Sequence, residues 1–191
     1  MIWIISGPSN AGKSTFIRSP QCSALTGLPA DAPVFFPIGS TRLSGGIDRD
    51  CFFHYNILRP ADLERRAPSR GAPSASTADA IDFAQDPQWR EVTSLPAAKA
   101  AIVLVVDAHT LAARAIRRRA VEDSPGVHTT APIYPRERWL ALYGTVNFLE
   151  LYRAWCAELD GHRIGYRLLD ARTEPCSDMA PAALPAVLGL E

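Results

Sequence analysis

The chain has 191 residues, 47% of them hydrophobic and 21% charged, which fits one compact domain and excludes a mostly disordered polypeptide. Twenty basic and twenty acidic side chains cancel, so bulk charge gives no support to a nucleic-acid or anionic-membrane surface. The longest apolar run, Ala100 to Val106, is far short of the roughly 20 residues that span a bilayer.

Ile2 to Ile5 is a short apolar run of the kind that forms a fully buried parallel strand. A Gly-, Ser- and Asn-bearing loop follows from Gly7 to Gly12, and Lys13-Ser14-Thr15-Phe16-Ile17 reads as a helix start. Ser19 to Ala32 is turn-like, with Pro20, Gly27 and Pro29. Pro33 to Phe36 is a candidate second strand, and Cys51 to Leu58 is a stronger one, stopped by Arg59-Pro60. A short charged helix is expected over Ala61 to Arg66. Residues 67–78 (APSRGAPSASTA) suit a flexible insertion within one domain.

Ala101 to Asp107 is the strongest strand, β-branched and ending in an acid. A helix with Leu111, Ala115 and Ile116 on one face runs to about Ala120, and irregular sequence leads on to Pro135. From Pro135 to Gly161 apolar residues recur at helical spacing, with Gly144 placed to kink or divide the element. Ile164 to Leu169 is the last strand, followed by a proline-broken tail. This alternation predicts an α/β fold, a three-layer sandwich around a mostly parallel five-stranded sheet, with ligands beyond the carboxyl ends of the strands.

Gly7-Pro8-Ser9-Asn10-Ala11-Gly12-Lys13-Ser14 matches GxxxxGK[ST], with an apolar strand before it and a helix start after it. Glycines let such a loop wrap a phosphate with backbone N–H groups, and the following helix adds its positive end. Gly7, Ser9, Asn10, Ala11, Gly12, Lys13, Ser14 and Thr15 are therefore the candidate nucleotide-binding residues. Lys13 is placed to reach the β- and γ-phosphates, and the Ser14 hydroxyl to ligate Mg²⁺. The chain holds two lysines, Lys13 and Lys99, against eighteen arginines, so a lysine at this position stands out.

The string GPSNAGKST resembles the loops of guanylate kinase and related small-molecule kinases, the nucleotide-kinase-like branch of the P-loop NTPases. The resemblance implies the P-loop fold over one domain, residues 1–191, with a small lid at about 122–135. It implies ATP or GTP and Mg²⁺ as cofactors, and γ-phosphate transfer to a small-molecule acceptor. It also implies arginines on a helix at the lid's edge. Here Leu111 is followed by Arg114, Arg117, Arg118 and Arg119, and Arg114 and Arg118 share a face one turn apart. A solvated basic helix is the other reading of the same arginines.

In that branch the acid that helps to hold the metal usually lies on the strand beside the loop strand. If Cys51 to Leu58 is that strand, the matching position is Asn56, which is no carboxylate. Asp107, Asp48 and Asp50 are the alternatives, although acids in a Gly-rich turn such as Asp48 and Asp50 are more often turn formers. His54 shares a face with Asn56 and either contacts substrate or is a hydrogen-bonded core histidine. The acceptor is expected between this strand's following loop and the helix from Pro135, read by Tyr55, Asn56 and Arg59.

Leu43-Ser44-Gly45-Gly46 and Asp123-Ser124-Pro125-Gly126 echo transporter-ATPase and GTPase motifs, but in the wrong positions and without an NKxD base-recognition motif. A nucleotide-binding sensor or scaffold and a simple NTP hydrolase remain as alternatives to a kinase. Four scattered cysteines without a CxxC pair, together with no secretory pattern at the start, lead to an expected cytoplasmic address. No partner in nucleic acid or membrane is expected, and the sequence is silent on oligomeric state.

Overall fold

The computed structural model describes residues 1–36, 50–59, 82–122 and 136–190. The 67–78 insertion, the helix expected at 61–66, Asp48 and residues 123–135 of the lid lie outside them.

The strands are β1 (Ile2–Gly7), β2 (Val34–Phe35), β3 (Cys51–Asn56), β4 (Lys99–Val105), β5 (Gly165–Asp170) and β6 (Ser177–Met179). Among the described residues they make one six-stranded sheet in the order β2-β3-β1-β4-β5-β6. All neighbours are parallel except β6, which runs antiparallel to β5. The expected five parallel strands are thus present, and a sixth closes the far edge. Three residues of mixed polarity, Ser177-Asp178-Met179, are too short and too exposed to show as a strand in a hydrophobicity pattern.

The helices are α1 (Lys13–Ile17), α2 (Pro20–Thr26), α3 (Pro87–Ser94), α4 (Ala108–Glu122), α5 (Arg136–Gly144), α6 (Phe148–Gly161) and α7 (Leu184–Val187). The turn expected after Ser19 is instead α2. Ser19 accepts a hydrogen bond from the Cys22 amide at 3.1 Å, and Pro20 occupies the first helical position, where its missing N–H costs nothing. Asp86 and Pro87 start α3 by the same device. The long helix expected from Pro135 is divided after Gly144, and Asn147 caps the second half by accepting from the Glu150 amide.

Strand pairing sorts the side chains onto two faces. Ile4 and Ser6 lie beside Phe53 and Tyr55 on one face, while Ile5 and Gly7 lie beside His54 and Asn56 on the other. On the first face Trp155 of α6 donates its indole N–H to Ser6 at 2.9 Å and stacks on Tyr55 with ring centroids 4.9 Å apart. Trp89 of α3 meets Trp155 edge-on at 4.6 Å and donates to Glu158. Burying these indoles while keeping their N–H groups paired avoids the cost of an unsatisfied donor. On the second face α1 brings Ser14 to His54. Helices therefore cover both faces, and the sheet is the middle layer.

The cysteines are all free thiols. No helix among the described residues is long and apolar enough to cross a membrane.

Candidate functional site

The loop between β1 and α1 sits at the carboxyl end of the central strand. Gly7 has φ +153°, and a Cβ there would lie 2.9 Å from the Leu104 carbonyl oxygen and 3.1 Å from the Ala11 side chain, so only glycine fits. Asn10 and Gly12 also take positive φ, 68° and 93°. The Ser9 amide donates to the Leu58 carbonyl at 2.9 Å, tying the loop to the segment after β3. Tyr143 of α5 holds it from the other side: the Asn10 amide group donates to the Tyr143 hydroxyl at 3.2 Å. Trp139 stacks on Tyr143, with centroids 5.6 Å apart.

Lys13 is buried, and its ammonium donates to the carbonyls of Gly7 at 2.9 Å and Pro8 at 2.6 Å. Burial, and secondarily the Arg118 charge, lower its pKa to about 7. The α1 helix has only five residues, so the site's positive charge comes from side chains more than from a helix dipole.

A cleft of about 730 Å³ opens above the loop. Ser9, Asn10, Gly12, Lys13, Ser14 and Thr15 form its floor, and Arg114, Arg117 and Arg118 of α4 one wall. Phe36, His54 and Asn56 form the opposite wall, and Glu174 is the one carboxylate among the described lining residues. Three arginines and Lys13 against one acid among the described lining residues focus a positive potential into the cleft. Arg114 is anchored as well: it donates to the Ala11 carbonyl at 2.8 Å and to that of Ala171, joining the loop to the end of β5. Arg118 is exposed.

His54 Nε2 stands 3.5 Å from Ser14 Oγ, and Phe36 meets the imidazole at a 41° tilt with ring centroids 4.9 Å apart. Desolvation, then Lys13, then Arg118 drive the His54 pKa down to about 3, so the ring is neutral. His54 lines the cleft.

A second, smaller pocket of about 300 Å³ shares Gly12, Thr15, Arg114 and Glu174 with the cleft. Phe16, Leu104, Ala171 and Pro175 make it largely apolar. The segment after β5 that builds it was read from sequence only as a proline-broken tail. Its position just past a strand's carboxyl end was the available signal. The sequence pattern does not single out Tyr143, which lies within the helix expected from Pro135.

Of the remaining candidates, Asn56 lines the cleft and the others do not. The Asp107 carboxylate accepts from the Thr110 amide at 2.9 Å and from its hydroxyl at 2.7 Å, and so caps α4. Asp50 pairs with the N-terminal amine beside the amino end of β3, the opposite end of the sheet from the loop. Arg59 binds Asp86 and Gln88 at the start of α3, and Tyr55 points into the aromatic core with its hydroxyl on Asp86 at 2.9 Å. Asn56 pairs with Gly7 and lines the cleft.

No group of three or more His, Cys, Asp or Glu able to hold a metal exists among the described residues. Ser14 Oγ and His54 Nε2 are the donors that meet. Two donors do not by themselves complete the shell of a divalent ion. Comparison with protein-family models, with curated proteins and with solved structures finds no match to this chain.

Proposed function

We propose that the chain is an ATP-binding protein of the phosphate-loop type that works as a kinase on a small-molecule acceptor. The observation that carries this reading is the convergence of Lys13, Arg114, Arg117 and Arg118 with the GxxxxGKS loop around one cleft. Its volume, about 730 Å³, falls within the range that takes a cofactor-sized ligand.

The Gly12 to Thr15 segment would hold the polyphosphate, and the apolar pocket beside Phe16, Ala171 and Pro175 would take the flat base. Lys13 exchanges its two carbonyl acceptors for phosphate oxygens. The arginines of α4 neutralise charge as the bond from the γ-phosphorus to the bridging oxygen breaks and the bond to the acceptor oxygen forms. The acceptor's proton passes to solvent. Ser14 Oγ would be the side chain that holds a divalent ion, Mg²⁺ in the first instance, which would offset phosphate charge. The acceptor enters along the wall made by Phe36, His54 and Asn56.

One observation favours a second reading, a nucleotide-binding sensor or scaffold without transfer. Of the sequence-predicted acids that the structure describes, Asp107 is committed to a helix cap and Asp50 lies at the far end of the sheet, while Asn56 is an amide. Incubation with γ-labelled ATP and a panel of hydroxyl, amine and phosphate acceptors separates the readings. Labelled acceptor supports the kinase, tight binding without loss of label supports the sensor, and free phosphate without acceptor marks a hydrolase.

A further inference from the structure

The apolar pocket of about 300 Å³ and the basic cleft of about 730 Å³ meet at four shared residues, Gly12, Thr15, Arg114 and Glu174. Gly12 and the Arg114 guanidinium crowd one side of this neck, where a Cβ on Gly12 would lie 3.4 Å from Arg114 Nη1. Arg114 is fixed there, because it donates to the Ala11 and Ala171 carbonyls. Glu174 stands on a segment held at both ends. At one end the Ala171 amide donates to the Val105 carbonyl at 2.9 Å. At the other the Cys176 amide donates to Gln21 Oε1 at 3.0 Å, and the Cys176 carbonyl accepts from Gln21 Nε2. Glu174 itself is exposed and, among the described residues, makes no hydrogen bond or salt bridge, so both carboxylate oxygens are open to a ligand.

An ionised carboxylate only accepts hydrogen bonds, and it repels phosphate. Among three arginines and Lys13 it weakens the hold on a polyanion unless the ligand brings donors to it. A nucleotide carries donors on its base edge and on its two ribose hydroxyls. The order of the surfaces decides between them. With the base in the apolar pocket and the phosphates over Gly12 to Thr15, the sugar spans the neck that Glu174 borders. The vicinal diol presents two O–H groups, which match two carboxylate oxygens in strong, charge-assisted bonds. We propose, resting on the nucleotide-binding reading above, that Glu174 accepts from the ribose 2′- and 3′-hydroxyls and makes the site selective for ribonucleotides over their deoxy counterparts.

The test uses the full chain with Mg²⁺ and three ligands: ADP, which has no γ-phosphate to lose, 2′-deoxy-ADP and 2′,3′-dideoxy-ADP. Calorimetry is expected to show ADP binding about tenfold or more tightly than the dideoxy compound, as for lost hydrogen bonds to a charged group, with the 2′-deoxy compound between them. In Glu174→Ala the ratio is expected to fall toward one. Glu174 is exposed, so thermal unfolding of the variant is expected to match the wild type. Equal affinity of the wild-type chain for ADP and the dideoxy compound overturns the proposal while leaving nucleotide binding intact. That comparison decides the point even where Glu174→Ala fails to fold. A folded variant that keeps the wild-type ratio also overturns it, including one that binds every ligand more tightly, since Glu174 then only repels phosphate. Absence of binding by all three ligands overturns the nucleotide reading, and the ribose assignment with it.

Discussion

Asn10, held at φ 68° in the middle of the loop, donates its side-chain amide to the hydroxyl of Tyr143, 133 residues away on α5. The bond ties the loop's shape to α5. Tyr143→Phe keeps the buried ring but removes the acceptor for Asn10. The expected loss is about 1 kcal/mol of loop positioning, a roughly fivefold weaker nucleotide affinity. Calorimetric titration measures it, with thermal unfolding expected to change little. Equal affinity in the variant would show that the bond does not shape the loop.

Gly7 makes a harder demand. Alanine there meets the Leu104 carbonyl at 2.9 Å in a backbone conformation that side chains rarely adopt. Gly7→Ala is expected to destabilise the fold by about 3 kcal/mol or to prevent folding. Urea unfolding followed by tryptophan fluorescence reads this, and a stable variant would contradict the placement of β1 against β4.

Arg114 and Arg118 share a helix face but do different work. Arg114 bridges the Ala11 and Ala171 carbonyls, so Arg114→Ala is expected to lower both thermal stability and nucleotide affinity. Arg118 is exposed at the cleft, and Arg118→Ala is expected to keep stability within about 0.5 kcal/mol while weakening binding. The two variants behaving alike in unfolding would remove the distinction.

Lys13 gives a pH dependence of known sign. Burial and Arg118 lower its pKa to about 7 in the fold, against 10.5 for the ordinary side chain. Between these values the unfolded chain binds more protons than the folded one, so stability rises with pH through that window. Below pH 7 the cost of the buried charge is fully present, and Lys13→Met is expected to be more stable than wild type there. A phosphate beside Lys13 favours its charged form, so nucleotide binding at pH 8 to 9 is expected to take up close to one proton. Titration in buffers of different ionisation enthalpy measures the uptake. Identical uptake in Lys13→Met would assign the proton to another group.

The central strands and the loop were legible because burial on both faces leaves an unbroken apolar run in Ile2 to Ile5 and in Ala101 to Val106. The division of the long helix was foreshadowed by Gly144. Less visible was α2, because Pro20 reads as a breaker unless Ser19 is recognised as the cap before it. Site residues contributed by distant segments were the least visible. Tyr143 reaches the loop through the packing of α5 on α4, and Glu174 through the position of β5 in the sheet, neither of which a local pattern encodes. His54 was seen as sharing a face with Asn56, but its meeting with Ser14 depends on the β1–β3 register.

The measurement that tests the central claim most directly is calorimetric titration of ATP and GTP, with and without divalent metal, into wild type and Lys13→Ala. Micromolar, metal-dependent binding that is lost in the variant is the predicted result, because Lys13 is the buried cation at the base of the cleft. Binding of neither nucleotide to wild type, or equal binding to a folded Lys13→Ala, would contradict it.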